Sequence, residues 1–201
     1  MRVHIVYAHP THTSFTGAIL AEFTRGLADA GHEHTLSDLY AMGFDPVLDA
    51  DQYARESAWA RDAPVPPVVA AEQAKLDAAA VWAFVYPVWW CDCPAILKGW
   101  FDRVWSAGWA YAHAPGTAAA VRVARKALVL CTAGHTTAQL KDTGCYQAMA
   151  TSMLDDRLGT RAVERQFVVF GGTTDLTGAE RETERQTQLA AAYREGRSLR
   201  A

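Results

Sequence analysis

The sequence predicts an α/β fold, a doubly wound, three-layer parallel sheet of five strands with helices on both faces. Short apolar runs rich in β-branched residues alternate several times with segments of helical periodicity. Half of the 201 residues are apolar and a fifth are charged, so the chain can bury a sizeable core. This length suits one domain better than two, and we expect residues 1–201 to form a single domain.

The first strand and helix are the clearest pair. In the helix, Phe15, Ala18, Ile19 and Phe23 recur at helical spacing, and Gly31 stands where a helix ends. The five predicted strands are residues 3–8, 33–39, 79–86, 126–134 and 165–172.

The remaining segments show weaker patterns. Residues 40–70 lack a sustained period and predict a long excursion with a short helix around 50–60. Pro94 opens a helix whose wide apolar face includes Trp100 and Trp105, which we expect in the core. Residues 145–158 predict a further helix, and Thr177 with Glu180 predicts a capping box before the last one.

The charge excludes several classes of protein. A net charge of −3 gives no basic surface for nucleic acid and no polybasic run for anionic membrane. The first residues, "RVHIVYAHP", are too short and polar a run for a signal peptide or a membrane span, so we expect a cytoplasmic protein without membrane insertion. The four cysteines fit neither zinc spacing nor a C-x-x-C motif, and we expect all four to be reduced.

Ligands of such sheets bind beyond the carboxyl ends of the strands, which selects three loops. Loop one (residues 8–16, "AHPTHTSFT") places His9, Thr13 and Ser14 just before a helix. Free N–H groups, a partial positive charge and short hydroxyls suit a phosphate, although Thr13 or Ser14 could equally just cap the helix. Neither a G-x-G-x-x-G nor a P-loop motif is present.

Loop two (residues 86–93, "YPVWWCDC") is rich in flat aromatic surface. Four of the seven tryptophans fall within residues 86–105. Trp89 and Trp90 lie outside the periodic elements, which favours a conjugated ligand or a subunit interface over core packing.

Loop three (residues 131–137, "CTAGHTT") is built of small residues, so its backbone can approach a ring closely. His135 could donate to a reduced, anionic ring or relay a proton near neutral pH, although a lone loop histidine is more often simply solvated. No serine elbow, carboxylate pair or metal-spaced His/Cys cluster competes with a flat ligand.

These residues resemble a known family. The string "YPVWWCDCPAILKGWFDRVW", with "HPTHTSFT" near the start, closely resembles the NAD(P)H:quinone oxidoreductases of the flavodoxin-like superfamily. The similarity covers about residues 2–135. It implies a flavodoxin-like sheet of order 2-1-3-4-5 and a homodimer. It also implies a flavin that passes two electrons as hydride from NADPH or NADH to a quinone-like acceptor by a ping-pong route.

The resemblance also implies site residues. The flavin phosphate would lie on His9, Thr13, Ser14, Phe15 and Thr16. The isoalloxazine would lie on Pro87, Val88, Trp89, Trp90, Cys91, Thr132, Ala133 and Gly134. Trp90, Tyr111 and His113 match the nicotinamide and quinone pocket, and the catalytic candidates are His135, Tyr111 and His113. Because residues 39–49 and Asp102 match the part that holds adenine, FAD is expected, with FMN as the alternative.

The chain departs from the family at two places. Loop three reads Cys131-Thr132-Ala133-Gly134 where the family has T-T-G-G, and Gln139 and Cys145 replace a tyrosine and a histidine that relay a proton. Other functions remain open: an electron carrier, a regulatory flavoprotein, an azo- or nitro-reductase, and a tailoring reductase of an aromatic metabolite.

Overall fold

The computed structural model describes residues 1–60, 62–111 and 123–199. Within them lies a sheet of five parallel strands in the order β2-β1-β3-β4-β5. The predicted fold class and strand order are therefore confirmed. The strands are β1 (Arg2–Tyr7), β2 (Glu33–Asp38), β3 (Val81–Pro87), β4 (Ala124–Thr132) and β5 (Ala162–Phe170).

Helices cover both faces of this sheet. They are α1 (Phe15–Asp29), α2 (Ala50–Ser57), α3 (Pro67–Asp77), α4 (Ala95–Val104), α5 (Thr137–Asp142), α6 (Cys145–Ala150) and α7 (Gly178–Arg197). Because side chains alternate along a strand, the central strand β3 contributes side chains to the apolar cores on both faces of the sheet. Val81, Ala83 and Val85 pack toward α1 and α7. Trp82 and Phe84 pack with α3 and α4.

Two glycines allow α1 and α7 to touch along their backbones. A Cβ at Gly26 would lie 2.2 Å from the Tyr193 carbonyl oxygen, and one at Gly196 would lie 2.2 Å from that of Phe23. Any side chain at either position would push the helices apart. This contact fixes α1, whose first turn borders the candidate site.

Trp100 of α4 and Trp105, which caps the end of this helix, belong to the core, as predicted. Trp100 is fully buried and donates from Nε1 to Glu72 Oε2 at 2.9 Å. Trp105 is also buried and donates to the Arg157 carbonyl oxygen at 2.6 Å. Both indole N–H groups thus have partners, as buried indoles require.

The structure corrects the sequence reading downstream of β4. Residues 145–158 were expected as one helix, yet α6 ends at Ala150 and a π-helical stretch, Thr151–Leu158, follows it. Helix α5 was not predicted; Thr136 and Gln139 form a reciprocal capping box at its start. Thr177 precedes α7 as predicted, but its side chain makes no capping hydrogen bond, so the predicted capping box is absent; the first residue of the helix, Gly178, has a φ of +56°.

The expectation of four reduced cysteines is wrong in the structure. Cys91 and Cys145, which lie 54 residues apart in sequence, form a disulfide with Cα atoms 5.6 Å apart. Spacing could not predict this pair, because the fold alone brings loop two to the start of α6. Cys93 and Cys131 are free and buried.

No helix in the described parts of the chain is both long and apolar enough to cross a bilayer.

Candidate functional site

The carboxyl ends of β1, β3 and β4 surround one cavity. These strands are neighbours in the sheet, so their three following loops meet at its edge, and the cavity between them measures about 350 Å³. A volume of this size is typical of small-molecule sites. It is lined by His9, Ser14, Phe15, Thr16, Pro87, Val88, Trp89, Thr132, Ala133, Gly134, Thr173 and Thr174.

Most of the predicted cofactor residues therefore share this cavity. Thr13, Trp90 and Cys91 do not line it, and Thr173 and Thr174 are lining residues that the sequence reasoning missed. The two threonines follow the Gly171–Gly172 pair after β5, and this small-residue turn was the available signal. The assignment of any of these residues to a cofactor stays a prediction.

Loop one ends in a capped helix with unused donors. Ser14 caps α1, since its Oγ accepts from the Gly17 N–H at 3.0 Å. The backbone N–H groups of Phe15 and Thr16 have no acceptor among the described residues. The capping and phosphate interpretations of this loop are thus compatible, because the cap leaves two first-turn donors free.

His9 adds a third donor. Burial lowers the pKa of His9, which favours the neutral imidazole. The Thr11 N–H donates to His9 Nδ1 at 3.0 Å, which places the ring proton on Nε2. A neutral histidine at the edge of the cavity can therefore donate a hydrogen bond from Nε2.

Two contacts fix loop one against the rest of the site. A Cβ at Gly17 would lie 2.1 Å from the His12 carbonyl oxygen, so glycine lets the loop fold down onto α1. The buried hydroxyls of Thr16 and Thr132 hydrogen bond at 2.7 Å and join α1 to the end of β4.

Loop two is a tight turn closed by backbone hydrogen bonds. Trp89 and Asp92 exchange N–H···O bonds of 2.9 and 3.1 Å. Trp90 and Cys91 between them have φ values of +52° and +58°. Two-residue hairpin turns require such values, but Asn-Gly usually supplies them, so Trp-Cys here is a strained choice. The turn lifts the Trp90 side chain fully into solvent.

An ion pair holds the base of this turn. Arg157 donates from both Nη atoms to Asp92, at 2.8 and 2.9 Å, and the Cys93 N–H donates to Asp92 at 2.7 Å. Burial acts to raise the pKa of Asp92, but these hydrogen bonds outweigh it, and the pKa lies below its usual value. The carboxylate therefore stays charged and the bidentate pair fixes the direction of the turn.

Loop three is held by the segment after β5. The Ala133 N–H donates to the Phe170 carbonyl at 2.9 Å, and Thr173 donates from N and Oγ1 to the Ala133 carbonyl. A Cβ on Gly134 would meet Thr174 Oγ1 at 3.0 Å. The N–H groups of Gly134 and His135 have no acceptor within the described residues. Gly134, which lines the cavity, and its neighbour His135 thus each keep an unused backbone donor.

Of the catalytic candidates, the two that the structure describes, His135 and Tyr111, lie outside the cavity. His135 follows Gly134, but its Nδ1 lies 2.8 Å from Asp175 Oδ2 and its ring is largely exposed. Tyr111 donates to Glu56 Oε2 at 3.1 Å; burial and the Glu56 charge raise the pKa of Tyr111 to about 12. Neither lines the cavity. His113 lies outside the described residues.

Gln139 and Cys145 stand where the family has a tyrosine and a histidine that relay a proton, and both side chains have other partners in this structure. Gln139 Oε1 accepts from the Thr136 N–H at 2.8 Å within the capping box of α5. Cys145 is in the disulfide with Cys91. Neither side chain can relay a proton in this arrangement.

The segment at 39–49 packs against α4. Arg103 donates to the Asp45 carbonyl at 2.7 Å, and a Cβ at Gly99 would lie 2.2 Å from the Pro46 carbonyl oxygen. Asp102 points outward and pairs with Lys98. The segment matched to the adenine half of the cofactor is therefore fixed to the helix that follows loop two.

The comparisons with known proteins agree with this architecture. A family model described as the flavodoxin-like fold matches residues 1–195. A solved NAD(P)H:quinone oxidoreductase from Methanothermobacter marburgensis is 40% identical with a TM-score of 0.88, covering 100% of this chain and 96% of that one. A solved putative quinone reductase from Klebsiella pneumoniae is 30% identical with a TM-score of 0.81, covering 97% and 83%.

The curated relatives match over part of their length. NAD(P)H dehydrogenase [quinone] 1 from Rattus norvegicus is 40% identical over 126 residues, which is 56% of this chain and 46% of that protein. The chain thus spans about half the length of this relative and of most other curated relatives it matches.

The fold and the matched residues define a flavodoxin-like α/β protein. The chain belongs to the flavodoxin-like fold family. Its resemblance to the NAD(P)H:quinone oxidoreductases, predicted from the loop motifs, is confirmed.

Proposed function

We propose that this protein is a flavin-dependent NAD(P)H oxidoreductase that passes two electrons to a quinone-like acceptor. The observation that carries the proposal is the single cavity at the ends of β1, β3 and β4, with unused backbone donors from two loops facing the same edge of the sheet. Relatives named as quinone oxidoreductases support the reaction class.

The residues around the cavity fit a flavin. The Phe15 and Thr16 N–H groups, the α1 dipole and His9 Nε2 would hold a phosphate. The wall formed by Pro87, Val88 and Trp89 suits a flat ring system. A cavity of about 350 Å³ accommodates a ring system of this kind.

Loops two and three would stabilise charge on the ring. In loop two, the Val88 and Trp89 N–H groups are already bound to the Thr132 and Asp92 carbonyls. Contacts to the ring edge would therefore come from the Trp90 and Cys91 N–H groups, which have no acceptor among the described residues. The Gly134 and His135 N–H groups would face negative charge at the opposite edge, as donors of an oxyanion hole do.

A bound flavin supplies two-electron transfer between a nicotinamide and an acceptor. The protein would position both partners in turn on one open ring face, which makes the route ping-pong. NADPH or NADH is the reductant. His135, held by Asp175 through Nδ1, would move a proton at Nε2. Tyr111 and His113 are proposed to line the acceptor pocket.

We further propose that residues 1–201 act as one flavin-binding domain within a homodimer. Trp90 is fully exposed at the tip of loop two, beside the cavity, and a second copy of the chain would cover it. FAD is the proposed cofactor, since residues 40–49 are anchored beside loop two through α4; FMN is the alternative.

Anaerobic titration tests the proposal. The purified protein should carry flavin absorbance that NADPH or NADH bleaches and that menadione restores. Chromatography of the released cofactor distinguishes FAD from FMN. A yellow protein that neither nucleotide bleaches would favour an electron carrier or regulatory flavoprotein. A protein that binds neither flavin after reconstitution would refute the proposal.

A further inference from the structure

We infer that Cys91 and Cys145 form a reversible thiol–disulfide exchange site beside the cavity, whose substrates are thiols. The pair links the tip of loop two to the first residue of α6 across 54 residues of sequence. This chemistry goes beyond the proposed flavin reaction and does not depend on it.

This cysteine pair lies at the protein surface. Cys91 is exposed and Cys145 is half-buried, so a thiol can approach from the Cys91 side. The other cysteines are protected. Burial raises the pKa of Cys93 to about 12, and burial raises the pKa of Cys131 as well. Since the thiolate is the reactive form, Cys93 and Cys131 cannot compete, and exchange is confined to the pair.

Both ends of the pair lie where the backbone can rearrange. Trp90 and Cys91 occupy left-handed conformations that non-glycine residues rarely adopt. Beyond the backbone hydrogen bonds that close the turn, two side-chain attachments hold it in this state: the disulfide at Cys91 and the Arg157 fork on Asp92. Opening the disulfide removes the attachment nearest to Trp90, so the Trp90 side chain should move.

The pair is also coupled to the cavity wall. Cys145 packs on the small apolar cluster of Ala133, Leu140 and Met149, against which Val88 also packs. Val88 and Ala133 line the cavity. The disulfide therefore ties loop two to the start of α6, which packs on the same cluster as two residues of the cavity wall. Its state determines how firmly loop two is held there.

The reaction is an ordinary two-step exchange. An external thiolate attacks Cys91 Sγ, the S–S bond breaks, and the electron pair leaves with Cys145 Sγ, which takes up a proton. A second external thiol displaces Cys91 from the mixed disulfide. The protein gains two electrons and two protons, and two external thiols are oxidised to one disulfide.

Differential alkylation of the wild-type protein tests this inference without any variant. The folded protein is equilibrated in buffers of reduced and oxidised dithiothreitol, trapped with iodoacetamide and analysed by peptide mass spectrometry. We expect Cys91 and Cys145 to become labelled together as the buffer becomes reducing. They should react at least about tenfold faster than Cys93 and Cys131, and lose the label when the protein is reoxidised first. The same experiment on flavin-free protein gives the same result, which separates this inference from the proposed function.

Two variants sharpen the readout. Cys131→Ser keeps a donor near the Val168 carbonyl and should leave the Cys91–Cys145 transition unchanged. In the wild-type protein, reduction should change the tryptophan fluorescence, and Trp90→Phe should abolish that change. A pair that resists excess dithiothreitol until the protein is denatured would overturn the inference. So would two free thiols that never pair in oxidising buffer.

Discussion

The Thr16 and Thr132 hydroxyls form a buried hydrogen bond of 2.7 Å that joins the first turn of α1 to the end of β4. These residues are 116 apart in sequence, and both line the cavity. The contact sets the distance between the donors at the start of α1 and the donors of loop three. We therefore infer that the Thr16–Thr132 hydrogen bond sets the width of the cavity.

Replacing Thr16 by valine should loosen this link. The variant keeps the shape of the side chain but leaves the buried Thr132 hydroxyl without its partner, which costs about 1–3 kcal/mol of unfolding free energy. We also expect weaker flavin retention. Thr24→Val is the matched control, because the Thr24 hydroxyl bonds only to Leu20 and Ala21 carbonyls within α1. Urea unfolding and flavin titration of both variants measure the effects; equal behaviour would contradict this role for Thr16.

A side chain at Gly134 should exclude the flavin. Gly134→Ala places a Cβ 3.0 Å from Thr174 Oγ1, and Gly134→Val adds bulk toward the cavity, so the valine variant should be purified colourless. The double variant Gly134→Ala/Thr174→Ala relieves the contact with the threonine hydroxyl. If that double variant regains full flavin binding, the alanine acts by displacing the loop rather than by touching the ring. A yellow, fully loaded Gly134→Val protein would refute the assignment.

A buried polar network around His4 should make stability depend on pH. His4 lies between Thr35 and Ser37; Ser37 also contacts Glu72 and Lys75. Burial lowers the pKa of His4 from 6.5 to about 4; Glu72 acts to raise this pKa and Lys75 to lower it. As the pH falls, His4 therefore becomes protonated at a higher pH in the unfolded chain than in the folded protein. The contribution of His4 to the free energy of unfolding is fully present above pH 6.5. It falls by roughly 3 kcal/mol as the pH drops from 6.5 to 4.

The matched variants for this prediction are His4→Gln and His34→Gln. His34 is exposed on β2, so its replacement provides the surface control. For His4→Gln, the stability lost relative to wild type should shrink as the pH is lowered from 7 to 4. Chemical unfolding at several pH values measures it. A constant difference across this range would show that His4 does not titrate as described.

His135 should matter to the acceptor half-reaction if it relays a proton. Asparagine can still bond Asp175 but carries no titratable ring, so His135→Asn should slow reoxidation by menadione by about a hundredfold while leaving flavin binding intact. His34→Asn is the control. Stopped-flow measurements separate the reductive and oxidative halves, and an unchanged oxidative rate would remove His135 from the mechanism.

The sheet could be predicted from the sequence because its strands are strongly patterned. Val81 to Pro87 is a continuous buried run, and such runs occur almost only in parallel sheets covered on both faces. The region after β4 was harder. Short helix α5 depends on a capping box, and the π-helical stretch at Thr151–Leu158 has no periodicity that separates it from an α-helix.

The candidate site could be predicted only in part. Three loops follow strand ends and could be located by topology alone. Thr173 and Thr174 reach the same cavity from the edge strand β5, and the Gly171–Gly172 turn before them was the one sequence signal for this. The bond between Cys91 and Cys145 likewise depends on a turn with positive φ that no residue preference indicates.

Equilibrium binding of flavin to the flavin-free protein tests the central claim most directly. The fluorescence of FMN and of FAD is followed as protein is added, with Gly134→Val and Thr24→Val measured alongside. The account predicts saturable quenching with one flavin per chain for wild type and Thr24→Val, and none for Gly134→Val. Absence of saturable binding of either flavin to the wild-type protein would contradict it.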